Sequence, residues 1–249
     1  MTSHEQIHFD GRAETYETEI GQEYPQALKW WLLRKYSSEG EQVVDVGGAS
    51  GRHAIELACV NRDVTCIDLS FGMLKKMSVR DSFDALENFQ KPKPIVAKAQ
   101  SIPLASQSVD LAYCYATLLL MHDQDKAISE LVRIVRPGGH VIVDIARPWN
   151  FGWLYWRRHY RKLGFPGIFP LSNKATGKLF SCLGCYPVET IATGFLTQLL
   201  YLPYVEQKTS LRHWIHRNGE GPDLDGKVTA KVPLLANREY IVLRKEKRI

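Results

Sequence analysis

The segment VVDVGGASG, residues 43–51, is the feature that most constrains the fold of this chain. A short hydrophobic run passes directly into a glycine-rich turn, and an apolar helical pattern follows at residues 52–59. Small residues let the backbone approach a ligand closely, and the N–H groups that open the next helix favour negative charge. The pattern is therefore typical of a nucleotide-binding junction between a strand and a helix. Taken alone, the motif also fits a generic glycine turn.

Short β-branched runs alternate with helical patterns around this junction, which is the signature of βαβ units. We predict an α/β fold with a doubly wound, mostly parallel, seven-stranded sheet, helices on both faces, and a helical lid or insertion after the fifth strand. The predicted helices span residues 12–24, 26–36, 52–59, 71–77 and 126–135. The predicted strands span residues 42–46, 64–67, 94–97, 109–115, 141–145 and 240–243.

The expected organisation is a single domain over residues 1–249. Its parts are N-terminal helices at 1–40, a cofactor-binding core at 41–147, a lid or insertion at 148–182 and the C-terminal part of the sheet at 183–249. The sequence RPGG at 136–139 is predicted to be a sharp turn before the fifth strand, because proline ends a helix and glycine allows positive φ. One further αβ unit is predicted near residues 183–204.

Two features of the glycine-rich junction argue against a dinucleotide ligand. A G-x-G-x-x-G fingerprint started at Gly47 would need small residues at Ala49 and Arg52, and arginine is bulky where helix and strand must touch. Asp45 lies two residues before the first glycine, where a carboxylate repels a pyrophosphate but can hold an ammonium group. After the second strand, Asp68 either accepts both ribose hydroxyls or caps the next helix. A zwitterionic ligand with a ribose therefore fits better than NAD.

Together, residues 43–58, 64–70, 108–110 and 136–139 resemble the successive motifs of class I S-adenosylmethionine-dependent methyltransferases. The likeness covers roughly residues 9–147 and is greatest to the small-molecule group that includes ubiquinone and menaquinone biosynthetic enzymes. In that group a Phe-Asp and then an Ala-x-x-Tyr segment lead in, as 9–10 and 13–16 do here. The resemblance implies S-adenosyl-L-methionine as cofactor. With the argument on Asp45, the predicted cofactor-binding residues are Tyr16, Asp45, Gly47, Gly48, Ala49, Gly51, Asp68, Leu69, Met73, Ala99, Gln100 and Tyr115.

The chain departs from the family pattern at three places. Ala49 stands where glycine is usual, and its methyl group is expected to fit if φ is negative. Lys98 stands where an acidic residue usually precedes the AQSIP segment, so backbone around 99–100 is left to bind the adenine amino group. Leu119 and Leu120 occupy positions where many relatives carry histidine, and any role of that histidine is absent here.

The chemistry that the resemblance implies needs no dedicated nucleophile. A sulfonium methyl group is already activated, so the protein mainly aligns acceptor, methyl carbon and sulfur and excludes water. A base is required only if the acceptor starts protonated. Candidates are Tyr115, His122 and His159, but each has another interpretation: packing against the ligands, a loop position, and an exposed basic face, respectively. The catalytic residues are therefore left unassigned.

The acceptor class is narrowed by a motif that the chain lacks. Members of this superfamily that methylate nucleic-acid amino groups carry an Asn/Asp-Pro-Pro-aromatic motif after the fourth strand, where this chain has YCYA at 113–116. The apolar segment 116–121 and the aromatic region 149–165 are predicted to wall an apolar pocket. A small apolar or aromatic acceptor is predicted and nucleic acid is not, although the leucines of 116–121 alternatively belong to the core.

Other classes of function remain open at this point. The basic, aromatic segment from Trp149 to Lys162 fits RNA or protein methylation, peripheral contact with a membrane, or a lid helix with a basic outer face. Ala49 and Lys98 favour a methyltransferase-fold scaffold that binds a partner without catalysis.

The location of the protein and the absence of a metal site are default expectations. The polar residues Met1–Asp10 argue against a secretory signal, so a cytoplasmic location is expected. The five cysteines form no disulfide framework, and the lone C-x-x-C at Cys182 and Cys185 lacks the second ligand pair of a zinc site, so no metal is predicted. The sequence gives no indication of oligomeric state.

Overall fold

The computed structural model describes residues 4–16, 26–79, 90–148, 153–162, 168–201, 209–215 and 222–247. The helices in these ranges are α1 (His4–Arg12), α2 (Gln26–Tyr36), α3 (Arg52–Ala58), α4 (Phe71–Ser78), α5 (Gln124–Ile134), α6 (Trp153–Lys162), α7 (Asn173–Cys182), α8 (Thr209–Ile215) and α9 (Leu224–Thr229). The strands are β1 (Gln42–Val46), β2 (Asp63–Asp68), β3 (Lys93–Val96), β4 (Val109–Cys114), β5 (Val135–Ala146), β6 (Cys185–Thr193) and β7 (Arg238–Lys245). No helix of the described ranges is long and apolar enough to span a membrane.

The strands of these ranges form one seven-stranded sheet in the order β3-β2-β1-β4-β5-β7-β6. Strands β1 to β5 are parallel, whereas β7 is antiparallel to both β5 and β6. The chain reverses its direction of winding between β1 and β4, and ligands of open α/β sheets bind at the carboxyl ends of the strands at such a point. The predicted doubly wound, mostly parallel sheet is confirmed.

Helices cover both faces of the sheet. Side chains alternate along each strand, so each strand contributes apolar residues to both faces. Val44 and Val46 belong to the core that includes Leu131 of α5 and Phe180 of α7. Val43 belongs to the opposite core, which includes residues of α2, α3 and α4. The strands between these layers are apolar on both sides, as expected of a buried parallel sheet.

The predicted helix at 12–24 is wrong in its described part. Helix α1 ends at Arg12, residues 13–16 form a turn, and residues 17–24 lie outside the described residues. The ammonium of Lys76 on α4 donates to the carbonyls of Ala13 and Glu14, at 2.9 and 2.7 Å. These carbonyls are thus used by a tertiary contact rather than by a following helical turn.

The predicted turn at 136–139 is also wrong, because β5 runs through this segment. The register between β4 and β5 shifts here, so the extra residues form an irregularity inside the strand. Gly138 has φ 85°, and a Cβ on Gly139 would lie 2.5 Å from the carbonyl oxygen of Asp110. The two glycines therefore permit a bulge beside β4 rather than a reversal of the chain.

Beyond β5, the predicted αβ unit near 183–204 corresponds to β6 and a 3₁₀ turn at Thr197–Tyr201, with α7 before them. The predicted last strand at 240–243 lies within β7. Phe180 of α7 is buried in the core. The described part of the basic, aromatic segment forms α6. Residues 149–152 of that segment lie outside the described residues.

Candidate functional site

A cavity of about 340 Å³ lies at the carboxyl ends of β1, β2 and β4. It is lined by residues of α1, α4 and α5, of the turns after these strands and of the loop after β3. Of the predicted cofactor-binding residues, the lining includes Tyr16, Gly47, Ala49, Asp68, Leu69, Met73, Ala99 and Gln100. Residues not predicted as ligands also line it, namely Glu5, Phe9, Ala97, Lys98, Ala116, Thr117, Leu120, Met121, Asp123 and Lys126.

The turn after β1 is shaped by two glycines with positive φ. Gly47 has φ 74° and Gly51 has φ 73°. A Cβ on Gly47 would collide with the side chain of Thr117, and one on Gly51 would collide with Met77. The N–H of Gly47 donates to the carbonyl of Ile67 at 2.7 Å, which fixes the turn against β2. The turn thus keeps bare backbone at the cavity wall, as close approach to a ligand requires.

Asp68 joins the two turns that flank the cavity. One carboxylate oxygen accepts a hydrogen bond from the Ala49 N–H and the other accepts one from the Ser70 N–H, both at 2.8 Å. Burial raises the pKa of Asp68, while these backbone donors act to lower it. Ser70 itself caps α4 by accepting from the Met73 N–H at 3.1 Å. Asp68 is therefore not the N-cap residue of α4, and it lines the cavity.

Helix α1 is held over the cavity by Asp10, a contact that the sequence did not reveal. Its carboxylate accepts from the Ser70 hydroxyl at 2.5 Å and from the Gly72 N–H at 2.8 Å. These donors lie at the N-terminus of α4, where a negative charge is favourable. Phe9, next to Asp10 in the chain, lines the cavity. The adjacent Phe-Asp pair was the sequence signal, but it gave no indication of the partner.

Asp45 lies behind the glycine turn and is not among the lining residues. A Cβ on Gly48 would lie 2.7 Å from the Asp45 carboxylate and 2.5 Å from the sulfur of Cys66. The pKa of Asp45 is raised to about 7, mainly by burial; Asp68 also raises it, whereas Tyr113 and Lys29 lower it. Contact of Asp45 with an ammonium group stays a prediction. Gly48 and Gly51 likewise shape the turn without lining the cavity.

Of the three base candidates, Tyr115 and His122 are not part of the cavity lining that the described residues form. Tyr115 is buried on the α2 and α3 side of the sheet, where its hydroxyl donates to the carbonyl of Lys29 at 3.3 Å. Burial raises the pKa of Tyr115 well above its ordinary value. The His122 side chain is 85% exposed, beside Asp123. His159 belongs to α6, and its side chain lies outside the described part of the structure.

The apolar segment 116–121 divides between the core and the cavity lining. Leu118 and Leu119 are buried in the core. Leu120 and Met121 line the cavity. The segment is joined to the glycine turn by the Thr117 hydroxyl, which lies 3.3 Å from the Gly47 carbonyl. It therefore supplies an apolar wall at the β4 end of the cavity.

Ala49 adopts φ 49°, so the condition under which its methyl group was expected to fit, a negative φ, is not met. The left-handed region costs a residue with a Cβ roughly 1–2 kcal/mol, whereas glycine adopts it freely. The hydrogen bond from the Ala49 N–H to Asp68 holds the residue there.

We expect Ala49→Gly to raise the free energy of unfolding by about 0.5–1 kcal/mol, because relief of the left-handed conformation exceeds the entropy that glycine adds to the unfolded chain. Urea unfolding measures the change. Ala175→Gly is the matched control: Ala175 is exposed within α7, and the same substitution there should lower stability by up to about 1 kcal/mol. Equal losses in both variants would show that residue 49 is not strained.

The chain is similar in sequence to methyltransferases. Residues 44–143 match the family model described as a methyltransferase domain. An O-methyltransferase of Pyrenophora dematioidea is 30% identical over 112 residues, which are 45% of this chain and 42% of that protein. A demethylmenaquinone methyltransferase of Renibacterium salmoninarum is 30% identical over 105 residues, which are 42% of this chain and 40% of that protein. The chain thus spans less than half the length of these curated relatives.

A solved structure resembles the chain over nearly its whole length. A SAM-dependent methyltransferase from Thermotoga maritima superposes with a TM-score of 0.64 and 18% sequence identity. The match covers 98% of this chain and 100% of that one. At this level of identity the likeness concerns the fold alone.

Proposed function

We propose that this chain, which carries a methyltransferase domain at residues 44–143 within a class I methyltransferase fold, transfers a methyl group from S-adenosyl-L-methionine to a small molecule. The observation that carries the proposal is the position of Asp68. Its carboxylate lies at the end of β2, at the wall of a cavity that the Gly47 turn also lines. A carboxylate beside bare backbone suits a ligand that presents ribose hydroxyls and a charged amino-acid moiety.

The cavity fits the cofactor in size and chemistry. Its volume of about 340 Å³ falls at the lower end of the roughly 300–1,000 Å³ range of small-molecule sites. Asp68 would accept the ribose hydroxyls, Leu69 and Met73 would flank the adenine, and the turn at Gly47 and Ala49 would hold the amino-acid moiety. When bound, the cofactor supplies an activated methyl group.

The remaining work of the chain is to orient the ligands and exclude water. Phe9 and Tyr16 cover the cavity from α1 and the turn after it, while Leu120 and Met121 form its apolar wall. We propose a small apolar or aromatic acceptor from this wall. The proposal includes the domain organisation expected from the sequence. Residues 41–147 contain the cofactor-binding core, and the rest of the chain completes the same domain.

We expect Asp68→Ala to weaken binding of S-adenosyl-L-methionine at least about 100-fold, because hydrogen bonds to a charged acceptor contribute about 1.5–3 kcal/mol each. Isothermal titration calorimetry measures the affinity. Asp63→Ala is the matched control, since Asp63 starts the same strand and forms an exposed ion pair with Lys93. It should bind the cofactor like the wild type.

Two outcomes would contradict the proposal in different ways. If the wild type binds no S-adenosyl-L-methionine, the function is wrong and the scaffold interpretation gains. If the wild type binds it and Asp68→Ala binds it equally well, the cavity is not the cofactor site.

A further inference from the structure

A second group of polar side chains lies beside the cavity, on the face of the sheet covered by α2 and α3. Its members are Lys29 of α2, His53 of α3, Tyr115 after β4 and Asp144 of β5, and we refer to them as the Lys29 cluster. The Lys29 side chain is 6% exposed and Asp144 is fully buried. The cluster is not used in the proposed binding of the cofactor.

The ammonium of Lys29 is stabilised by the charges of Asp144 and Asp45 but forms no ion pair with either. It lies 5.5 Å from the centre of the Tyr115 ring, and among the described residues no carboxylate lies within ion-pair distance of it. Asp144 is engaged elsewhere, since it pairs with the Arg238 guanidinium and accepts from the Ala116 N–H at 2.7 Å. Burial lowers the pKa of Lys29 to about 8. Buried charges are normally paired, so a buried ammonium without an ion-pair partner indicates a binding role.

His53 adds an unmatched polar atom to the cluster. Its Nε2 is buried without a hydrogen-bond partner in the described part of the chain, and its ring meets that of Tyr115 edge-on at 5.7 Å. Burial lowers the pKa of His53 well below its ordinary value, with further lowering by Lys29 and Arg52, so the imidazole is neutral. A neutral imidazole supplies a donor or acceptor beside the ammonium.

The position of the cluster relates it to the methyl acceptor. Along the carboxyl edge of the sheet, the strands follow the order β2, β1, β4, β5, with Asp68 at β2 and Asp144 on β5. With the ribose at Asp68 and the amino-acid moiety at Gly47, the reactive end of the cofactor faces β4. Ala116 connects the two regions, because it lines the cavity and donates to Asp144. The acceptor therefore approaches from the β4 and β5 side.

We propose that the Lys29 cluster binds a carboxylate carried by the methyl acceptor. The inference rests on the proposed function and specifies its substrate class as an apolar molecule with one acidic group. Lys29 supplies the charge, His53 supplies a hydrogen bond, and the Tyr115 ring contacts the apolar body. Lys29 is thus a specificity-determining residue rather than one that holds the cofactor.

The test compares acids with amides of the same shape, in the presence of S-adenosylhomocysteine so that no turnover occurs. Benzoate with benzamide and octanoate with octanamide are titrated calorimetrically at pH 7. We expect at least one acid to bind tenfold or more tightly than its amide, and Lys29→Met to remove the difference. Lys29→Arg, which keeps the charge, should retain part of it. Lys35→Met is the matched control on α2, because Lys35 is exposed and paired with Glu189.

The outcomes separate this inference from the proposed function. Equal binding of acid and amide, or binding of neither, overturns the carboxylate site, as does an acid preference that persists in Lys29→Met. Absence of S-adenosylhomocysteine binding to the wild type overturns the proposed function itself. A cooperative unfolding transition of Lys29→Met shows that the variant is folded.

Discussion

Replacement of Asp225 by alanine is expected to lower the free energy of unfolding by about 3–5 kcal/mol, because it removes the acceptor at the centre of a buried network. Asp225 lies on α9 and is fully buried. Its carboxylate accepts from the N–H groups of Gly194 and Leu196 at 2.7 and 2.6 Å. It also accepts from the hydroxyls of Thr193, Thr197 and Thr229. Alanine would remove the carboxylate that accepts from all of these donors.

Urea unfolding followed by circular dichroism measures this loss. Asp223→Ala is the control on the same helix, because Asp223 caps α9 by accepting from the Gly226 N–H at 2.8 Å and such a cap contributes typically about 1 kcal/mol. Asp225→Asn should fall between the two, since an amide can accept from only one of the two backbone N–H groups. A loss in Asp225→Ala no larger than that in Asp223→Ala would contradict the structural role of the network.

The role of Asp225 could not be predicted from sequence. The local sequence DLDG at 223–226 suggests a turn, and nothing in it indicates a buried carboxylate. The donors that define the role of Asp225 lie mainly at β6 and the turn after it, 28 to 32 residues earlier in the chain. A pattern read over a few residues carries no information on such a contact.

The first strand and its glycine turn could be predicted because their signals are local. The hydrophobic run at 42–46 is followed at once by the turn, and β1 has the predicted bounds. The first helix could not be placed, because its end depends on contacts with α4. Asp10 of α1 accepts from the Gly72 N–H of α4, and Lys76 of α4 donates to the carbonyl that follows α1 at Ala13. Propensity gives way to tertiary contacts of this kind.

The candidate site was predicted best where the chain leaves a strand. Gly47 and Asp68 line the cavity because the carboxyl ends of parallel strands meet at one edge. Asp45 is different, because it lies inside β1, two residues after Val43, and side chains two residues apart in a strand share a face. Its pairing partners Cys66 and Tyr113 belong to the core beneath α2 and α3. The alternation of side chains along the strand therefore indicated that Asp45 faces the core, although the glycine-rich motif suggested a ligand contact.

Lys29 was missed for a related reason. The leucines and tryptophans of α2 predict an apolar stripe, and a lysine within such a helix is ordinarily assigned to the solvent face. The structure instead buries Lys29 on the same side as Leu28 and Leu32. Only the contacts of Lys29 with Tyr115, which follows β4, reveal this. The burial leads to a prediction that tests it directly.

We expect the wild type to gain about 3 kcal/mol of stability relative to Lys29→Met as pH rises from 8 to 10.5. Burial lowers the pKa of Lys29 from 10.5 to about 8 in the folded protein, with opposing effects of Asp144 and Asp45 and further lowering by Arg238 and Arg52. Below pH 8 the amine is charged in both states, so the full penalty of burying the charge applies. Between pH 8 and 10.5 the unfolded chain binds more protons than the folded protein, and stability therefore rises with pH.

Urea unfolding at several pH values measures this difference. Comparison with Lys29→Met removes the contributions of tyrosines and other lysines that titrate in the same range, and Lys35→Met should follow the wild type throughout. Below pH 8, Lys29→Met should be the more stable protein, because methionine fills the buried position without a charge. Parallel curves for the wild type and Lys29→Met would show that Lys29 is not desolvated. The charge of Lys29 lowers the stability of the folded protein, as residues of binding sites commonly do. A carboxylate bound as proposed would offset the cost of burying that charge.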